Sequence, residues 1–375
     1  MALYFLAGLI FVLAYVTIIR QLRVKPWLQA VLAVIFFLMA AKNPLLVLFG
    51  GNLLAPDLPG PVIVAASAAQ FFLVTSIFFS ICILTVTTIV KFCTGKHVHL
   101  KIKRIILVSV MILSLGIAAL GTYNAGLPPV NVFYSFSSPK YPEHFRIVQL
   151  SDTHIGPNVS VEKIRDIIDR VNTLKPDVVL LTGDIIDGKY EPIKLQLDEF
   201  KKITAPYGVY AVNGNHEYYS QTSSWENVWQ RINIKMLHNA NETLVNEHGV
   251  PFLVIAGVTD TQAQRCEPPE ESPDFYKAME NIDKKLPIIM MSHRPDLFEL
   301  SAGAGADITL SGHTHGGMLP VLRTVVSLFN KGYVSGLYET GDKKLIVSNG
   351  TILWAGFFVR LGVPAQIVVV DLKKE

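Results

Sequence analysis

The chain has 375 residues, a length that suits about two domains, and half of them are hydrophobic while only 17% are charged. A soluble globular domain carries about 25% charged residues, so a single soluble globule is excluded. The net charge of +3 hides two unlike parts: through Asn124, nine Lys and Arg face the single acid Asp57, a balance of +8, and the remaining 24 basic and 29 acidic residues give −5. A nucleic-acid partner needs a basic face, and the acidic part gives no reason to expect one.

Four apolar stretches, about 2–19, 27–50, 61–90 and 105–122, approach or exceed the ~20 residues that cross a bilayer. The first lacks a basic segment ahead of it, and Arg20 follows it, which predicts a retained helix and not a cleaved signal peptide. Lys42-Asn43-Pro44 interrupts the second, so it reads either as one span or as a shorter span followed by a re-entrant or interfacial piece. The third is overlong and must tilt or run on into water. Arg20, Arg23 and Lys25 follow the first stretch, and Lys91, Lys96, Lys101, Lys103 and Arg104 follow the third, whereas the loop at 51–60 holds no Lys or Arg. Positive loops stay in the cytoplasm. With four spans, the N-terminus and everything after residue 122 then lie on the extracytoplasmic side of the cell membrane. His97 and His99 in the second basic loop read as part of a solvated face near anionic headgroups.

The domain boundaries predicted are a transmembrane part at 1–122, a Pro/Gly/Ser-rich linker at 123–144 with an edge strand at Val130–Phe136, and a second domain at 145–375. Short β-branched runs follow at 145–150, 177–182, 208–212, 252–258, 287–291, 307–310, 344–348 and 366–372. Between the first two, Ser160 can cap a helix whose Ile164, Ile167, Ile168 and Val171 share one face. Near-continuous apolar strands separated by helices predict an α/β domain of two stacked sheets flanked by helices. Cys266 is the only cysteine of this part, which rules out a disulfide scaffold there.

Five runs end alike. They deliver Ser151-Asp152-Thr153-His154, Gly183-Asp184, Asn213-Gly214-Asn215-His216-Glu217, Ser292-His293 and Ser311-Gly312-His313-Thr314-His315. Any one of these alone reads as a cap or turn, since Asp, Asn and Gly favour such places. Five together read as a site, because ligands of α/β sheets bind at the carboxyl ends of strands. Two divalent cations ~3.5–4 Å apart would use this composition. Asp152 and His154, two apart, would share a strand face; Asp184 could bridge; Asn215 offers a neutral oxygen. A carboxylate–imidazole–amide set without thiolate favours Mn, Fe or Zn.

In that order DTH, GD, GNHE, SH and GHTH resemble the five motifs of the calcineurin-like metallophosphoesterases, over about residues 145–315. The extra features SHRPD and GHTHGG resemble the membrane-anchored bacterial branch, which includes phosphodiesterases and UDP-2,3-diacylglucosamine hydrolases. One position departs: many of that branch carry Gln after GHTHGG, and this chain has Met318. The resemblance implies an α/β-β/α sandwich behind a bundle of about four transmembrane helices. It implies one cation on Asp152, His154, Asp184 and His315, and another on Asp184, Asn215, His293 and His313. His216 is then the non-ligand histidine, placed to protonate the leaving oxygen or to stabilise the phosphorane-like charge. Two such cations lower the pKa of a shared water toward neutrality, and the hydroxide attacks phosphorus in line. Glu217 is expected to orient loop backbone. Asp260 is expected to support the site from behind, and Arg294, Arg323 and Arg360 are candidate phosphate contacts. Two apolar stretches, 318–330 and 352–364, read either as core or as a cap that admits acyl chains or dips into the membrane. The expected partners are the bilayer and a phosphodiester or pyrophosphate substrate, lipid-linked ones included. A silent membrane sensor on the same fold is the competing class, and the complete ligand set argues against it.

Overall fold

The computed structural model describes residues 1–220, 225–267 and 269–375. They divide into two units: Met1–Gly126 with Ala355–Val359, and Leu127–Trp354 with Arg360–Glu375.

The first unit is helical. Helix α1 (Ala2–Ala14) continues through a π turn at Tyr15–Ile19 into α2 (Arg20–Leu22). Helices α3 (Pro26–Ala40), α4 (Lys42–Gly50), α5 (Gly60–Thr94) and α6 (Leu100–Gly126) follow. Three runs are long and apolar enough to cross a membrane, and the α3–α4 pair, bent by 64°, makes a fourth if it is one span. Pro44 accounts for the bend. It has no N–H, and its ring would meet the carbonyl of Ala40 four residues back, so the helix stops and restarts. Ile18, Phe36, Ala40, Leu73 and Leu107 form the unit's core. The apolar stretch at 352–364 forms neither strand nor helix. Its residues Ala355–Val359 belong to the helical unit, where the Phe357 ring meets Phe71 edge-on at 6.1 Å and Ala355 packs with Leu46 and Ile63.

The second unit is built on two six-stranded sheets. Its strands are β1 (Val130–Ser137), β2 (His144–Leu150), β3 (Val178–Thr182), β4 (Val209–Val212), β5 (Ile234–Met236), β6 (Ala240–Val245), β7 (Pro251–Gly257), β8 (Ile288–Met291), β9 (Ile308–Ser311), β10 (Gly336–Thr340), β11 (Lys343–Val347) and β12 (Gln366–Lys373). Its helices are α7 (Val161–Thr173), α8 (Tyr190–Asp198), α9 (Asn215–Tyr219), α10 (Glu226–Arg231), α11 (Phe298–Ala304) and α12 (Pro320–Phe329). One sheet runs β1-β12-β2-β3-β4-β5 and the other β10-β11-β9-β8-β7-β6. Strands β2 to β5 are parallel, as are β7, β8, β9 and β11, while β12, β6 and β10 enter antiparallel pairs. All eight predicted runs are strands, and the stacked mixed sheets match the expected class.

Alternation explains the layering. In β3, Val178 and Leu180 join a core with Ile255, Ile289 and Leu310 of the other sheet, and Val179 and Leu181 point the opposite way onto Ile164, Ile168 and Leu197. Both faces are buried, which is why the strands read as unbroken apolar runs. Ser160 accepts from the Lys163 N–H at 3.2 Å, and all four predicted inward residues of α7 are buried. Ser160→Ala is expected to cost about 1 kcal/mol, measurable as a lower Tm of the full chain in detergent.

Candidate metal centre

The candidate ligands stand just past the carboxyl ends of five parallel strands. Asp152 and His154 follow β2, Asp184 follows β3, Asn215 and His216 open α9 after β4, His293 follows β8, and His313 and His315 follow β9. Strand alternation does not aim the first pair. β2 stops at Leu150, and the ligands lie in loops with left-handed backbone: φ is 54° at Asp152, 41° at His154, 50° at Asp184, 69° at His313 and 47° at His315. Such residues cost about 1–3 kcal/mol each and persist where the surroundings over-determine them. Gly214 and Gly312 supply the close approach. A Cβ at Gly214 would strike the Asp184 carboxylate, and one at Gly312 would strike the Ser151 hydroxyl and the Asp152 carboxylate.

Among the described residues two clusters, Asp152, His154 and His315, and Asp184, His293 and His313, each hold ligand atoms within 4.8 Å of one another, and a third group, His154, Asp184 and His216, shares a residue with each. His313 and His315 thus go to different clusters from one loop. Asp184 faces both, its Oδ2 lying 3.3 Å from His293 Nε2 and 3.9 Å from His154 Nε2. Backbone orients the carboxylates: the His216 N–H donates to Asp184 Oδ1 at 2.8 Å, and the His313 N–H to Asp152 Oδ1 at 3.1 Å.

The residues fit divalent cations. Asn215 Oδ1, His293 Nε2 and His315 Nδ1 are buried without a hydrogen-bond partner, which proteins rarely tolerate outside functional sites. His154 Nε2 and His315 Nε2 face each other at 3.1 Å, so the rings can pair only by leaving the His315 Nδ1 orphaned. Hard oxygens and imidazole nitrogens packed this way suit divalent metal ions.

The protein's own electrostatics is polarised. Burial is the largest single influence on His293 and His216 and disfavours their charge, but Asp184 together with the other carboxylates around each outweighs it, and their pKa values rise to about 10 and about 9. Burial would raise Asp184, yet His293 and His216 hold it well below the usual carboxylate range. Burial drives His313 and His315 well below the usual imidazole range, with cationic His293 and neighbouring His154 adding to it respectively. Two histidines are therefore neutral and ready to ligate.

Behind the ligands lie residues of three kinds. Glu217 does what was expected, accepting the N–H groups of Asp184, Ile185, Ile186 and Gly214 at 2.6–3.0 Å and so fixing the Asp184 turn. Asp187 escaped the sequence reading. Its Oδ1 accepts from Nδ1 of His154 at 3.2 Å and from Nδ1 of His216 at 2.5 Å, which turns both Nε2 atoms toward the site. The signal was present as the second aspartate of GDIIDG. Asp187→Asn is expected to lower kcat ~10–100-fold, with metal content nearly kept. Trp354 was also missed; its ring lies 5.0 Å from His315 and 5.8 Å from His154, forming an apolar wall.

The arginines divide. Arg294 donates through Nε to the fully buried Asp260 at 2.8 Å and holds Nη1 3.1 Å from His313 Nε2, so it borders the site. Arg323 is exposed on α12. Arg360 is buried, and its Nη2 donates to the carbonyls of Asn349 and Gly350, so its guanidinium holds the loop behind His315 and is not placed to meet a phosphate.

Residues 145–317 match the family model described as calcineurin-like phosphoesterase, and the chain carries a domain of that family. It is 31% identical over 268 residues to a transmembrane protein with metallophosphoesterase domain from Bos taurus, covering 68% of this chain and 60% of that one. A Danio rerio protein of the same description is 29% identical, covering 70% and 62%. The chain thus spans about three fifths of these relatives' length. An uncharacterized metallophosphoesterase from Aquifex aeolicus is 28% identical, covering 64% of this chain and 90% of that one. A solved dimetal phosphatase from Danio rerio covers 56% of this chain and 88% of that one, at 12% identity and a TM-score of 0.36.

Proposed function

We propose that the protein is a membrane-anchored phosphoesterase that hydrolyses a phosphodiester or pyrophosphate with two divalent cations. The carrying observation is the pair of clusters that Asp184 faces, with the buried Asn215 Oδ1 and His315 Nδ1 left without a hydrogen-bond partner. Asp152, His154, Asp184 and His315 would hold one cation, and Asp184, Asn215, His293 and His313 the other. Bound there, the cations supply Lewis acidity and bring a water's pKa toward neutrality. The rest falls to the chain. His216, buried and held through Nδ1 by the Asp187 carboxylate, would give a proton to the leaving oxygen from Nε2. Arg294, fixed by Asp260, offers its Nη atoms to a phosphate oxygen. Trp354 limits water at one wall.

Two features support a lipid-linked substrate, of which a UDP-diacylglucosamine type is one. Helix α6 ends at Gly126 and β1 begins at Val130, so the tether spans only about 10 Å. Helix α12, directly after the His315 loop, buries none of its residues and exposes Val321, Val325, Leu328 and Phe329 at helical spacing. Leu328→Ser with Phe329→Ser is expected to raise KM about tenfold for a micelle-borne substrate and leave a soluble aryl phosphodiester within about twofold. With the α3–α4 pair counted as one span, the positive loops favour a domain outside the cytoplasm. Protease protection on intact cells checks this, and a domain shielded from external protease contradicts it. The activity itself is tested by adding Mn to purified protein and following an aryl phosphodiester. No metal-dependent turnover would leave the silent-sensor class standing.

A further inference from the structure

The helical unit contains one buried charge. Lys42 begins α4 at the 64° break and is 3% exposed. Its Nζ donates to the carbonyl of Gly356 at 2.6 Å, which uses one of an ammonium's three N–H groups. The only acid among the unit's residues is Asp57, which is exposed. A cation in such surroundings is costly and calls for an anion.

Two further observations point to where that anion comes from. Lys42 lines a cavity of about 410 Å³ whose other walls are apolar, among them Leu38, Leu45, Phe49, Leu58 and Val62. Helix α4 is nine residues long and starts at Lys42, so the positive end of its dipole adds to the ammonium. Broken membrane helices present such ends to anionic groups. Beside it, Asn43 Oδ1 is buried with no hydrogen-bond partner and could accept from a hydroxyl.

We propose that this cavity binds an anionic phospholipid, its phosphate on Lys42 and the start of α4, its acyl chain along Leu38, Leu45 and Phe49. Holding the Gly356 carbonyl requires a donor; it requires neither a charge nor an apolar cavity. The site is independent of the metal centre and of the reaction assigned to it.

The test uses the full chain in detergent, incubated with equal phosphatidylglycerol and phosphatidylcholine, then washed, extracted and read by mass spectrometry. Wild type is expected to retain the anionic lipid about fivefold over the zwitterionic one. Lys42→Gln, which keeps a donor for Gly356 but no charge, is expected to bring the ratio to about one. Ala66→Phe, which fills the cavity and spares Lys42, is expected to lose the retained lipid even if Lys42→Gln fails to fold. A wild-type ratio near one overturns the proposal, as does a preference that survives both changes. Displacement by inorganic phosphate or glycerol phosphate alone would assign the site to a soluble anion and overturn the lipid.

Discussion

Asp184→Asn is expected to lower metal-dependent turnover by about 10³-fold or more. Its carboxylate faces His293 Nε2 at 3.3 Å and His154 Nε2 at 3.9 Å. No other carboxylate is shared in this way among the described residues. The amide keeps an oxygen and the shape but removes the negative charge that would offset two cations. Several kcal/mol of charge stabilisation rest on holding both, and each 1.36 kcal/mol is tenfold in rate. Metal analysis of the purified variant should show fewer than two equivalents, and kcat on an aryl phosphodiester should fall with it. A variant with full metal and near-normal kcat would show that Asp184 does not bridge.

His216→Ala should behave differently. His216 groups with His154 and Asp184 but lies outside the Asp152, His154, His315 and Asp184, His293, His313 sets proposed to hold the cations, so two equivalents of metal should remain. What goes is the proposed proton source at Nε2, and positioned acids contribute ~10²–10⁴-fold. The loss should depend on the leaving group. A nitrophenolate leaves without protonation, so its hydrolysis should fall least, and an alkyl ester should fall by the full factor. Equal losses for both would assign His216 to binding and not to proton transfer.

Much of this was legible in the sequence because the physics there is local. A strand buried on both faces must be an apolar run, and a strand end that carries chemistry must stop being one. That is why β2, β3, β4, β8 and β9 and their Asp, Asn and His endings could be read residue by residue. The short or mixed strands β5, β6 and β10 could not. β5 has three residues, and β6 reads ANETLV with most of its residues only half buried. The left-handed backbone at Asp152, His154, Asp184, His313 and His315 was also hidden, since only surrounding packing makes non-glycine residues adopt it. Asp187 and Trp354 take their roles from rings on other loops. The stretch at 352–364 was apolar without any period, and its membership of the helical unit depends on Leu46, Ile63 and Phe71, some 280 residues or more away in sequence.

The central claim is that two cations act together on Asp184. Its most direct test is to strip the purified full chain with chelator and titrate Mn back while following both bound metal and phosphodiester turnover. The account predicts no turnover without metal, little at one equivalent, and full turnover at two. Turnover that survives chelation, or that is complete at one equivalent, would contradict it.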